Sequence, residues 1–537
     1  MTGRAGGNRA ARLALAAAAV VILAAGYILT VPVNHATALD SYAYAHFIRD
    51  AEIGATPQVR VYLWTVTMQV LHAAFGRMTG EADPFVTIGA VNAVLTALSV
   101  VLLKDLLTRR FRTSEWAAWL TALGFGASYG VWRYAAELEV YAASAVLSLA
   151  LLHAALSIER GTAPVPRARI FGLAVAGGLA TLFYQPIGLL AGIVLPAYLV
   201  MRVPLRAVIG YLAVAGIVLV GGLAYQAALV GPAVSTAGAQ NLLDTSGRLL
   251  SPPGGGDYPR ALVAILQNVV SVNWAYSFPA SRTFIEETSG HAFRVYLHAA
   301  QFSGPGYLVF LVTLPLIGAL GLVVLARARR AGRLPGPDAR EGAVLLWLAL
   351  HAAMVLLIHP ASFEAWIPSL PPFFILLGLR LAEPLVRHGD RRIGIAALSA
   401  LVVHNWFAGL GVLGGAERDY FETKGARLIA TAERNDLVLV SEDWFYGKFL
   451  VYSLDAPVVF LPEADEAATR ALVTGTLSRA GEVYLVDRSL RTQVIVADGS
   501  ETAEAGTMGL SGDYRTEWAA FEDDRPIPGL EDAALLE

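Results

Sequence analysis

LALAAAAVVILAAGYILTVPVNHATALDSY, residues 13–42, decides how the rest of the chain is read. Residues 13–31 are apolar and uncharged, and Arg4, Arg9 and Arg12 stand before them. An apolar run of about 20 residues spans the hydrocarbon of a bilayer. The segment therefore reads as a retained first transmembrane helix rather than a cleaved signal peptide, and no small-residue cleavage site precedes a soluble domain. Directly behind it, Asp40 and Ser41 begin a polar and aromatic stretch.

The whole chain has the same character. Of its 537 residues, 56% are hydrophobic and only 15% are charged, against about 25% charged in soluble globular domains. The net charge of −3 comes with no basic face, which argues against a nucleic-acid partner. With no cysteine, neither a disulfide framework nor a thiolate metal site is available.

Apolar stretches of spanning length recur at 13–31, 84–103, 115–131, 138–157, 170–184, 187–201, 208–230, 303–326, 342–358, 365–385 and 393–413. The expected fold is mainly α: a polytopic bundle of about eleven transmembrane helices. Orientation follows from arginine and lysine in the short loops. With the N-terminus inside, six short inner segments hold twenty of the 40 Lys and Arg residues, among them Lys104, Arg109, Arg110, Arg112, Arg167, Arg169 and Arg340. The short outer turns 132–136, 185–186 and 359–364 hold only Arg133. The expected placement is a bacterial plasma membrane, with the N-terminus cytoplasmic and the C-terminus outside.

Three outer segments are long. Residues 33–83 suggest an amphipathic helix over 40–52 and a more apolar one over 58–75, lying in or dipping into the interface. Residues 231–301 contain the loop tract Ser251-Pro252-Pro253-Gly254-Gly255-Gly256 and surface-lying helices over 260–280 and 288–301. Residues 416–537 form a tail in which 437–441, 458–461 and 482–486 read as buried strands, with helices at 443–453 and 463–480 between them. The expected division is a bundle over 1–415 and a small extracytoplasmic α/β domain over 416–537. Glu442-Asp443 follow a strand, where open α/β sheets bind ligands, although surface charge explains them as well.

The polar candidates gather on the outer side. They are Asp40-Ser41, Trp132-Arg133-Tyr134, Glu137 to Tyr141, Tyr184-Gln185-Pro186, His359-Pro360 and Phe363 to Trp366. Helix interiors hold few charges, with Arg380 the clearest exception. This arrangement suits an enzyme acting on a lipid-borne substrate at the outer surface. Sugar transfer from a polyprenyl phosphate needs a carboxylate to take the acceptor's proton and donors to hold the departing phosphate. Asp40 is the candidate base, and Arg133 and Arg60 are candidate phosphate partners, since a guanidinium binds phosphate bidentately. Glu139, Tyr141, Gln185 and Glu364 are candidate substrate contacts. A spacing of two puts Glu137 and Glu139 on different helix faces, so one of them at most points into a site, and Glu139 is preferred because it belongs to the Glu139-Val140-Tyr141 triplet. The outer aromatics Trp132, Tyr134, Tyr141, Tyr184 and Trp366 stand where interfacial belts form.

The order of parts resembles the GT-C superfamily of polytopic glycosyltransferases, which includes protein O-mannosyltransferases and bacterial aminoarabinose transferases. Asp40-Ser41 stands where those enzymes carry an acidic residue soon after the first helix. Trp132…Glu139-Val140-Tyr141 resembles the Trp…Glu-Val-Tyr segment of a mannosyltransferase-related bacterial family. Thr56-Pro57-Gln58-Val59-Arg60-Val61-Tyr62 stands where that family has a His-Pro-Pro-Gly-Tyr-Pro type stretch, and keeps one proline of it. Ser41 and Tyr42 follow Asp40 where many members have a second acid, and Tyr184-Gln185 replaces a polar Asn-His type pair. The resemblance covers about residues 10–410. It implies transfer from a polyprenyl-phosphate sugar to a glycan, lipid or protein acceptor, and leaves room for a divalent ion, which some members use. No His-x-x-x-His spacing suggests a transition metal. Two other readings stay open: a lipid or small-solute transporter or flippase, and a non-catalytic subunit of envelope-polysaccharide assembly.

Overall fold

The computed structural model describes residues 3–36, 38, 40–54, 59–158, 165–230, 257–273, 304–330, 336–360, 362–413, 419–441, 444–461, 464, 466–479, 481–486, 492–497, 504–505, 510–511 and 514–517. They form two compact units. The first takes in Met1–Pro32, Phe47–Phe293 and Ala300–Gly414, and the second takes in Val33–His46 and Gly415–Glu537. The stretch behind the first helix thus groups with the tail.

The first unit is a multi-pass helical bundle. Its elements are α1 (Gly3–Thr30), the last residues of α2 (Ser41–Arg49), α3 (Tyr62–Thr79), α4 (Pro84–Arg110), α5 (Glu115–Ala127), α6 (Tyr129–Arg133) and α7 (Tyr141–Leu156). They continue with α8 (Arg167–Phe183), α9 (Ile187–Val200), α10 (Leu205–Val230), α11 (Asp257–Val269), α12 (Gly304–Arg330), α13 (Ala339–Ile358), α14 (Glu364–Arg387) and α15 (Arg391–Leu410). Each of the eleven apolar stretches overlaps helix, although 115–131 is divided between α5 and α6 and 138–157 begins in the turn before α7. Among the described residues, seven helices are long and apolar enough to cross a membrane by themselves: α1, α4, α10, α12, α13, α14 and α15. The others are shorter.

Helix ends follow local chemistry. Asp83 accepts from the Phe85 N–H at 2.8 Å with Pro84 opening α4, and Asp338 accepts from Arg340 N and Glu341 N at the start of α13. Gly80 closes α3 at φ 77°, a left-handed conformation that glycine adopts without Cβ strain. α4 is central, packed against α1, α5 and α7, with 56% of its apolar window buried. α1, α10 and α12 bury only 11% of theirs and expose Val21, Ile22, Leu29, Ile217 and Leu322. Such faces are stable in lipid, where apolar exposure carries no penalty. Between α1 and α4 the seam is built of small residues, Ala24, Ala93 and Ala97, with Tyr27. The Tyr27 hydroxyl donates to the Gly126 carbonyl at 3.0 Å, tying α1 to α5.

The expected amphipathic helices over 40–52 and 58–75 correspond to α2 and α3. Gln69, buried on α3, donates to the Phe47 carbonyl at 2.8 Å and accepts from the Gly54 N–H at 3.0 Å. Gly54 has φ +89°, which favours glycine at this turn. Of the second outer segment, α11 covers the first part of 260–280 and begins earlier, at Asp257. The Ser251–Gly256 tract and 288–301 lie outside the described residues.

In the second unit, β1 (Leu437–Val440) lies second in a five-stranded sheet ordered β2-β1-β3-β4-β7, with β3 at its centre. β2 (Val458–Phe460) and β3 (Val483–Val486) pair with β1 in parallel, as the crossover helices α17 (Trp444–Ser453) and α18 (Glu466–Ser478) require. The sequence reading did not include β4 (Thr492–Ala497) and β7 (Tyr514–Glu517), which add antiparallel pairings. A short pair, β5 (Glu504–Ala505) and β6 (Leu510–Ser511), stands apart.

Asp419 holds this unit together. It caps α16 (Tyr420–Thr431), accepting from Phe421 N and Glu422 N. Its other oxygen accepts from His35 N, Ala36 N and the Tyr42 hydroxyl at 2.9, 2.9 and 3.0 Å. The Tyr42 ring packs edge-on to Phe449, 4.9 Å between centroids. Asp419→Ala strands five donors around a fully buried position, so it is expected to destabilise the unit by about 3–5 kcal/mol. Hydrogen exchange read at residues 33–46 checks this, because those amides should lose protection first.

Candidate active site in the helical bundle

The site begins where α5 ends. Ser128 closes α5 and opens the short α6, and the chain then runs irregularly from Tyr134 to Val140 before α7 starts at Tyr141. That turn sits over α4. The Asn92 amide donates to the carbonyls of Glu137 and Glu139, at 2.6 and 2.9 Å, and Thr96 donates to the Ala135 carbonyl at 3.2 Å. Gly89 lets the turn approach, since a Cβ there would lie 2.6 Å from the Ala136 carbonyl oxygen. Asn92→Leu removes the donor from two buried carbonyls at about 1–3 kcal/mol each. The expected outcome is a lower melting temperature in detergent together with loss of the site's activity.

Within the turn, Arg133 donates to Glu137 at 2.7 Å, and both side chains are buried. Burial opposes the charge on Arg133, but the Glu137 carboxylate outweighs it and holds the guanidinium proton more tightly than usual. The guanidinium also lies over the Tyr134 ring, 5.4 Å from its centroid. Tyr134 in turn donates to Glu364 Oε1 at 2.5 Å, and Tyr141 donates to Glu364 Oε2 at 3.3 Å. The two tyrosine rings meet edge to face at 5.2 Å, and Tyr184 meets Tyr141 at 6.1 Å. Beside Tyr184, the Gln185 N–H donates to the Arg60 carbonyl at 3.2 Å.

Five of the sequence candidates therefore form a connected group with Tyr134, Glu137 and Tyr184: Arg60, Gln185, Tyr141, Glu364 and Arg133. Arg60 is exposed, Gln185, Tyr141 and Glu364 are half-buried, and Glu139 is buried. Asp40 is half-buried in the second unit, where its carbonyl accepts from Tyr44 N at the start of α2. Among the described residues, no group of three His, Asp or Glu side chains is placed to hold a metal ion. Glu442 and Asp443 lie outside the described residues.

Two expectations need correction. Glu137 and Glu139 are not on opposite faces of a helix, because α7 starts after them; the turn is held by Asn92, and it is Glu137 that pairs with Arg133. Tyr134 and Trp366 are buried, at 1% and 5% exposure, rather than exposed to an interfacial belt. Asn92 was passed over as well. The signal for it was a buried-type amide inside an otherwise apolar spanning segment, which is costly unless it has bonds to make.

Tyr134 and Tyr141 also line a cavity of about 20 Å³, together with Thr96, Ser99, Ser144 and Ser148. It has room for about one water. A carboxylate gripped by two phenols is a rigid acceptor for hydroxyl groups, and the surrounding rings offer apolar faces to a sugar.

No protein-family model matches the chain, and no curated protein matches it significantly. Solved structures do. ArnT from Cupriavidus metallidurans bound to undecaprenyl phosphate aligns with TM-score 0.51 at 14% identity, over 89% of this chain and 93% of that one. ArnT in the apo state gives TM-score 0.44 at 14% identity and the same coverage. The Archaeoglobus fulgidus oligosaccharyltransferase in complex with Zn and sulfate gives 0.43 at 14% identity, over 82% of this chain and 62% of that one. At such identity, what the first of these establishes is a shared fold.

Proposed function

For a chain that carries the fold of the GT-C membrane glycosyltransferases, we propose the activity of a glycosyltransferase that moves a sugar from a polyprenyl-phosphate donor to an acceptor hydroxyl. The reaction takes place at the outer face of a bacterial plasma membrane. The observation that carries this reading is the fold itself, shared over 89% of the chain with a protein solved with undecaprenyl phosphate. The Tyr134–Tyr141–Glu364 group supports it, since it concentrates sugar-compatible chemistry at one end of an apolar bundle.

The mechanism is a direct inverting displacement. The acceptor oxygen attacks the anomeric carbon while the bond from that carbon to the phosphate oxygen breaks. The electron pair leaves with the polyprenyl phosphate, and the acceptor's proton passes to Asp40. Arg60 is the candidate partner of the departing phosphate. Arg133 acts as a positioning residue, its charge directed at Glu137, so that Tyr134 and through it Glu364 are held in place. Glu139, Tyr141, Gln185 and Glu364 are the remaining candidate substrate contacts.

Purified protein given radiolabelled sugars on synthetic polyprenyl phosphates tests the proposal, with glycan, lipid and protein acceptors offered in turn. Transfer from any such donor is the expected result. A folded protein inert with all of them, yet moving labelled lipid or solute across liposomes, would overturn it in favour of transport.

A further inference from the structure

The candidate site is built from two separate turns, and one residue of the second outer segment touches both. Tyr134 follows α6, Glu364 opens α14, and their side chains meet at 2.5 Å. The end of α11 reaches each of these turns. That helix buries Ala261, Ala264, Gln267 and Asn268 and exposes Leu262 and Leu266, so its amides, and not its largest apolar side chains, face the bundle. Ala261 and Ala264 pack against Val355 and Trp366.

Asn268 is fully buried. Its Nδ2 donates to the Ala264 carbonyl within α11 and to the Phe363 carbonyl, each at 2.8 Å. With the amide hydrogens on two carbonyls, the orientation of the side chain is fixed and Oδ1 points away from them. Oδ1 is buried and has no donor among the described residues. It lies against Gly130 of α6, where a Cβ would come within 2.2 Å of it and 3.1 Å of Cγ. An unsatisfied buried oxygen and a glycine inside a helix are each unfavourable on their own. The fold accepts both at the place where the amide reaches Phe363.

The same carbonyl accepts the Trp366 N–H at 3.3 Å, and the Phe363 ring packs on Tyr129 and Tyr134, 5.7 and 6.0 Å between centroids. The residue before Glu364 is therefore held at its carbonyl by α11 and at its ring by α6 and the turn after it. Beyond Asn268 the chain is tied down as well. Asn405, in the π-helical turn Asn405–Leu410 of α15, accepts from Ser271 N at 2.9 Å and donates to the Ala127 and Val269 carbonyls at 2.8 and 2.9 Å. Asn273 donates to the Tyr129 hydroxyl at 2.9 Å. These bonds stop α11 from slipping along the bundle, which a positioning role requires.

We propose that Asn268 is a positioning residue for Glu364. Its amide fixes the Phe363–Glu364 peptide so that the carboxylate meets Tyr134 and Tyr141 in the geometry that receives a substrate hydroxyl, and Gly130 is bare to admit it. The substrate role of Glu364 rests on the glycosyl-transfer reading; the hold of Asn268 on the turn does not. A misplacement of about 1 Å at a substrate contact costs about 10²-fold in rate, so an amide that never touches substrate acts on transfer through the carboxylate.

The test compares the full-length parent, Asn268→Ala, Gly130→Ala and the double variant in one detergent, by hydrogen exchange and by transfer from polyprenyl-phosphate sugars. Asn268→Ala should speed exchange of the Ser362, Ala365 and Trp366 amides by about tenfold, while Val100 to Leu103 of α4 keep the parent rate. Gly130→Ala should do the same, because the added methyl displaces the amide. In the Asn268→Ala background Gly130→Ala should add nothing, since the Asn268 Cα, the neighbour that remains, stands at an ordinary 3.4 Å. Each single variant should lower kcat/KM by about 10–10²-fold. With Glu364→Gln as the starting protein, Asn268→Ala should lower transfer no further, whereas a general loss of structure would lower it in both. Parent-like exchange over 362–366 in Asn268→Ala would overturn the proposal, as would an equal loss of transfer in the Glu364→Gln background. A parent protein inert with every donor would sink the transfer reading instead, and the exchange rates would still decide whether Asn268 holds the turn.

Discussion

Asp40→Asn is expected to lower sugar transfer by about 10²–10⁴-fold, the usual contribution of a positioned general base. The substitution keeps the size and shape of the side chain and removes its charge and its ability to accept a proton. The Asp40 carbonyl, which receives the Tyr44 N–H at 3.0 Å, is untouched by the substitution, so α2 should keep its start. The measurement is transfer from a polyprenyl-phosphate sugar by parent and variant at equal melting temperature. Binding of donor should change little, so the loss should fall on kcat rather than on KM. A variant that transfers at the parent rate would remove Asp40 from the base role and move the search to the carboxylates of the bundle, Glu364 first.

The second large effect is one of stability. Arg133→Met leaves the Glu137 carboxylate buried beside an apolar side chain, and breaking one half of a buried ion pair costs about 3–5 kcal/mol. Glu137→Met should cost a similar amount by stranding the guanidinium. Arg133→Met with Glu137→Met removes both charges and should recover much of the loss, since a well-packed apolar pair is often as stable as a buried ionic one. Denaturant unfolding of the four proteins in one detergent measures the cycle. The outcome also decides what Arg133 does. Unchanged stability in Arg133→Met with transfer lost would make the arginine a direct phosphate contact; lost stability recovered in the double variant supports the positioning role.

Much of the bundle was legible from residues alone because lipid acts on each segment locally. A chain in hydrocarbon must satisfy its backbone within the segment, so an apolar run of sufficient length becomes a helix whatever surrounds it. The stretches at 84–103, 208–230 and 342–358 are cases in point, and they correspond to α4, α10 and α13. The three parallel strands of the second unit were legible for a related reason. Short apolar runs of Val and Leu bounded by polar turns pack well as parallel strands, and 437–440, 458–460 and 483–486 do, the first and last buried throughout and the edge strand 458–460 half-buried. β4 and β7 carry Thr, Gln, Glu and Arg among their apolar residues, so that signal weakens.

The candidate site was legible as a list of residue types gathered at one end of the bundle, and not as an arrangement. Composition and loop charge placed Arg133, Glu139, Tyr141, Gln185 and Glu364 in turns of one side. They did not say that Tyr134 would reach Glu364 across 230 positions of sequence, or that Glu137 rather than Glu139 would answer Arg133. Nor did they say that Asp419 would bind the backbone of His35 across 384 positions and so group the segment bearing Asp40 with the tail. By itself the sequence determined what each segment must be, because helix formation in lipid and strand burial depend on neighbours a few residues away. Only the tertiary structure decided which polar groups meet, because a buried hydrogen bond or ion pair is set by the packing of distant segments, and many pairings are compatible with the same apolar pattern.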